Sequence, residues 1–117
     1  MPQYNKWSVK EEDLIGLTPE KARDLIVKCL FEAQKETIRH AKEKLGREID
    51  DEQIYQSVIS IVKFAFTDTK SSFKNPTKAT LIRVIQRLAE ISKSWGTPEE
   101  LIQHHKSQIQ KVISNLK

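Results

Sequence analysis

Leu17-Thr18-Pro19-Glu20 and Gly96-Thr97-Pro98-Glu99-Glu100 are the stretches from which the fold can be read. In each, a Thr hydroxyl can accept an orphan backbone N–H, and the Pro stands at a first helical position, where no donor is needed. Both predict helix starts. After Thr18 the apolar residues keep helical spacing as far as Leu45, with Gly46 just beyond and Lys42 and Lys44 set against the negative end of the dipole. A helix of about 40 Å is expected there.

Outward from these two stretches, the same punctuation recurs. Asp50 and Gln53 form a capping-box pattern, and Ile49 with Ile54 has hydrophobic-staple spacing, so a helix should run from there to about Phe66. Its apolar positions Ile54, Tyr55, Val58, Ile59, Ile61, Val62, Ala65 and Phe66 cover more than half of its circumference. Substituting Ile59 or Val62 by Asp is expected to prevent folding. Thr67 to Lys74 reads as the longest loop, and Asn75-Pro76 as the opening of a helix with the stripe Leu81, Ile85, Leu88, Ser92 and Trp95. The last helix, begun at Thr97-Pro98, carries Ile102, His105, Ile109, Val112, Ile113 and Leu116. Near the N-terminus, Ser8 and Glu11 predict a short helix through Val9 and Leu14 that ends at Gly16.

The expected fold is all-α: an antiparallel four-helix bundle with a short additional N-terminal helix. A length of 117 residues suits a single helical domain, with 1–17 as an N-terminal segment and 18–117 as the four-helix core. Hydrophobic and charged contents of 38% and 31%, with three Gly, are those of an ordinary soluble globule and not of a disordered chain. Cys29 is the sole cysteine, which rules out an intramolecular disulfide, and its apolar surroundings read as a small buried hydrophobe. The first seven residues lack an apolar signal core, and no run of about 18 apolar residues occurs. A cytoplasmic protein without a membrane span is expected.

The long helix carries two apolar rows. One, Ala22, Leu25, Ile26, Cys29 and Ala33, turns polar beyond Ala33. The other, Val27, Phe31, Gln34, Ile38, Ala41 and Leu45, keeps heptad spacing to the helix end and is the candidate protein interface. Its cover could be the N-terminal segment through Trp7, Val9, Leu14, Ile15 and Leu17, a second copy of the chain, or another protein.

Chemistry finds less support. Glu36/His40 and Glu100/His104 are four apart on their helices, whereas bundle metal sites use Glu and His three apart on two helices, so neither a metal nor another cofactor is expected. His105 lies on an apolar stripe and reads as a hydrogen-bonded core histidine. With each Gly at a helix end there is no phosphate-cradling loop, and no His neighbours Cys29 in sequence. The net charge of +4 arises wholly after Asp50, where Lys70, Lys74, Lys78, Arg83 and Arg87 are candidate contacts to an anion or nucleic acid. A helix-turn-helix is disfavoured, because Glu99 and Glu100 would approach the phosphates first. The expected function is a non-enzymatic interaction or regulatory module acting through helix surfaces, with a homodimer in view. Nucleic-acid binding by the basic second half is the alternative.

Overall fold

The computed structural model describes residues 4–116. Among them are four helices, α1 (Pro19–Lys44), α2 (Asp51–Asp68), α3 (Lys78–Ser94) and α4 (Glu99–Ser114), preceded by a 3₁₀ turn at Glu11–Leu14. They pack as a helical bundle in which α1 touches each of the other three helices and α3 touches both α2 and α4. One cluster forms the core, drawing on Ile26, Val58, Val62, Phe66, Leu81, Val84 and Val112 from the four helices. Burial of these side chains removes apolar surface from water at about 25 cal/mol per Å², the main driving force for folding. At 26 residues α1 is much the longest helix, and the molecule is correspondingly elongated, with extents of 46 × 26 × 24 Å.

Local signals explain most boundaries. The Thr18 hydroxyl accepts from Lys21 N, and Asp50 and Gln53 exchange side-chain and backbone bonds of 2.9 and 3.0 Å in a full capping box. Three helices end alike. The N–H two residues past the cap donates to a carbonyl in the last turn, as in Arg47 to Lys42, Ser71 to Phe66 and Thr97 to Ser92. Gly46 and Gly96 supply the left-handed residue this closure needs, while after α2 it is Lys70, at φ 56°. No glycine announces the end of α2, which runs two residues past the expected Phe66.

Three starts differ from expectation. Pro98 has extended backbone, with ψ 137°, so α4 begins after it and Thr97 does not cap. Its hydroxyl is taken instead by Gln34 of α1. The helix expected at Asn75-Pro76 begins at Lys78, where Thr77 and Thr80 cap reciprocally. Ser8 opens no helix: its hydroxyl faces His104, the chain stays extended through Val9, and only the four-residue 3₁₀ turn follows. Two burial expectations also change, since Ile59 is only half-buried and Trp95, at the C-cap of α3, is 38% exposed.

Candidate functional site

Residues 4–10, without regular secondary structure, form a strap that crosses α4. Trp7 sinks to 8% exposure, its N–H donates to His105 Nε2 at 3.0 Å, and Val9 N–H donates to Gln108 Oε1 at 2.9 Å. The Trp7 carbonyl, which can only accept, lies 2.9 Å from His104 Nε2, so that nitrogen carries the proton. Farther up, Asn5 N–H donates to the Ala33 carbonyl of α1, and the Tyr4 hydroxyl to the Trp95 carbonyl. The strap thus ties α1 to α4. Because His105 Nε2 accepts from a backbone N–H, the ring must be neutral there. Burial lowers its pKa from 6.5 to about 4, with His104 and Lys6 acting in the same direction.

That geometry makes the strap acid-sensitive. Between pH 6.5 and 4 the folded chain binds fewer protons at His105 than the unfolded chain does, so this residue's contribution is intact above 6.5 and is lost as the pH falls through 4. Trp7 emission is expected to shift to the red over that window. In His105→Gln, whose amide oxygen can accept the same bond, the shift should disappear. Emission in the two proteins that followed one common acid curve would rule the latch out.

Between α1, α3 and α4 lies an apolar pocket of about 60 Å³, partly open to solvent. Its wall includes Ile26, Cys29, Gln34, Ile85, Thr97 and His105. Burial pushes the Cys29 thiol up to about 12, so it stays protonated and is a poor nucleophile. Gln34 is 1% exposed; its Nε2 donates to Thr97 Oγ1 at 3.1 Å, and its Oε1 has no partner among the described residues. An unmet buried acceptor costs about 1–3 kcal/mol.

On the opposite flank of α1, a shallow groove of about 580 Å³ runs between the 3₁₀ turn, α1 and the start of α2. Ile15, Leu25, Phe31 and Tyr55 line it, rimmed by Glu12, Asp13, Asp24 and Glu32 and by Lys21 and Lys28. Phe31 meets Tyr55 edge-on at 5.5 Å, and Ile15 stands 74% exposed beside them.

The candidate row on α1 therefore divides. Val27 and Gln34 face the core, Phe31 and Ile38 are half-buried, and Ala41 and Leu45 are exposed, Leu45 to 71%. The cationic candidates do not gather either. Arg87 Nε sits 2.6 Å from Asp68 and its Nη1 3.0 Å from Glu90, while Lys78 donates to the Leu116 carbonyl at 3.4 Å. At 100° per residue, Lys78 and Arg83 point about 140° apart around α3. Lys70 serves in the closure of α2, and Lys74 is exposed in the loop that follows.

Among the described residues no group of three or more His, Cys, Asp or Glu is placed to hold a metal ion, and no helix is long and apolar enough to cross a membrane. Trp7, His104, Gln108 and Thr97 acquire their roles through contacts far apart in sequence, which a helical-period reading has no means of finding. A Trp in an otherwise polar leader and two adjacent His were the available signals. The chain matches no protein-family model, and comparison with curated proteins and with solved structures gives no match.

Proposed function

We propose that the protein is a non-enzymatic helical interaction module that pairs with a second copy of itself through the groove between the 3₁₀ turn, α1 and α2. The observation that carries this reading is Ile15: a large apolar side chain, 74% exposed, stands beside an apolar trough floored by Phe31 and Tyr55. Knob and trough on one surface are what a two-fold contact requires, since each copy offers both. The rim adds complementarity. It carries four carboxylates and two lysines, so a two-fold axis can bring Lys21 and Lys28 of one copy to the acidic rim of the other.

On this reading the four helices alternate in direction about one core, within a single cytoplasmic domain. The short links Leu45 to Asp50 and Trp95 to Pro98 favour that alternation. Nucleic-acid binding is less favoured, because Arg87 is already held by Asp68 and Glu90 and the remaining cations point in different directions.

Sedimentation equilibrium tests the proposal. The wild type should approach twice the chain mass as its concentration rises toward about 1 mM, and Ile15→Asp should weaken association by about 30-fold or more. The variant should keep its helical circular dichroism, because Ile15 contributes little to the core. A wild type that remained monomeric throughout would remove the groove as a self-association surface.

A further inference from the structure

One wall of the groove has little of its own to hold it in place. Glu12, Asp13 and Ile15 line the groove from the 3₁₀ turn, and the remainder of the lining comes from α1 and from Tyr55 of α2. None of the four turn residues is buried, and Leu14, half-buried on the core, is the only apolar side chain among them. The hydrogen bonds that shape the turn run from Lys10 to Ile15: Lys10 N–H to Asp13 Oδ2 at 3.1 Å, Asp13 N–H to the Lys10 carbonyl at 3.0 Å and Ile15 N–H to the Glu12 carbonyl at 3.3 Å. A single 3₁₀ turn can fix its own shape in this way, but not its position on a bundle.

Position comes from the flanks. Upstream, with only Lys10 between it and the turn, Val9 packs on the core and donates to Gln108 Oε1 at 2.9 Å. Two residues earlier, Trp7 is sunk in the core, with His105 on its N–H and His104 on its carbonyl. Downstream, Leu17 packs on the core and α1 begins at Pro19. Release of the strap from α4 therefore frees one end of the groove wall. We propose that docking of the strap and self-association through the groove are coupled, each stabilising the other, so that the strap regulates the interface. This rests on the reading that the groove pairs two copies. An undocked strap withdraws the ordered wall from a fraction of the molecules and weakens the apparent affinity accordingly. Linkage makes the effect reciprocal, so that a second copy seated in the groove holds the strap down. Direct cover is not the cause, since none of the residues that bond Trp7 and Val9 lines the groove.

Amide hydrogen exchange of the wild-type full chain tests the coupling, at concentrations where sedimentation gives mostly monomer and mostly dimer. Protection of the Trp7 and Val9 amides should rise about tenfold with association, while Arg47, whose N–H closes the far end of α1, is unchanged. In Ile15→Asp the Trp7 and Val9 amides should exchange alike at both concentrations. Trp7→Ala, which removes the anchor of the strap and touches no residue of the groove, should raise the dissociation constant about tenfold or more. A dimer whose Trp7 and Val9 amides exchanged as in the monomer would overturn the coupling and leave the interface standing, and this is read on the wild type whether or not Trp7→Ala folds. Association of a folded Trp7→Ala as tight as that of the wild type would overturn it equally. A chain monomeric at every concentration would instead remove the interface, and the coupling with it.

Discussion

Val62→Asp should leave the chain largely unfolded in water at 25 °C, with the helical signal at 222 nm lost. Val62 is fully buried on α2 within the cluster shared by all four helices. Asp there removes the aliphatic packing of Val and brings a carboxyl group with no partner into the core. The lost packing costs roughly 1–3 kcal/mol and the unpaired carboxyl about 2–7 kcal/mol, so together they exceed about 5 kcal/mol, the whole stability of a domain at the low end of the usual range of about 5–15 kcal/mol. Ile59→Asp is the informative control. The sequence treats the two positions alike, but Ile59 is half-buried and its carboxylate could reach water. It should cost less than half as much in urea denaturation. Equal loss at both positions would mean that the outer flank of α2 is more enclosed than the fold shows.

Trp7→Ala should have the next largest effect, about 3 kcal/mol, read as a fall in Tm of roughly 10 °C or more. The indole is the one large apolar group that the strap delivers to the core, and the bonds to His105, His104 and Gln108 lie within two residues of it. Without that anchor the strap must hold α1 to α4 by hydrogen bonds alone, each worth only about 1 kcal/mol net. Hydrogen exchange at Asn5, Trp7 and Val9 should then accelerate together. A loss below about 1 kcal/mol would show that the four helices are sufficient and the strap merely rests on them.

The helices themselves were legible because their determinants are local. Thr18, the Asp50–Gln53 pair, Gly46 and Gly96 act on backbone groups within a turn of their own position, and the apolar period reports burial along one rod. The same rules misplaced three starts, two of them because a partner far along the chain intervenes. Thr97 has a hydroxyl able to cap, but Gln34, 63 residues away, offers a donor in the core, and an unmet buried amide would cost more than a cap lost at the surface. At Ser8, the neighbouring Trp7 and Val9 N–H groups are engaged by side chains of α4, which holds the chain extended where a capping box would have coiled it.

Periodicity also merged what packing separates. Heptad spacing joined Val27, Phe31, Gln34, Ile38, Ala41 and Leu45 into one row, yet α1 outruns its neighbours, so the row begins in the core, passes the groove and finishes in solvent. Five cations close in sequence were spread by the turn of α3 and by their own partners, Asp68, Glu90 and the Leu116 carbonyl.

Rod formation, rod ends and the oily face of each rod follow from interactions spanning five residues or fewer, and the order of amino acids is enough to specify them. Which rods meet, where the N-terminal segment lies, and which buried polar atoms are left without a partner depend on partners tens of residues away. Those are settled only when the whole chain closes on itself, because burial sets the energy of a polar group and burial belongs to the assembled fold.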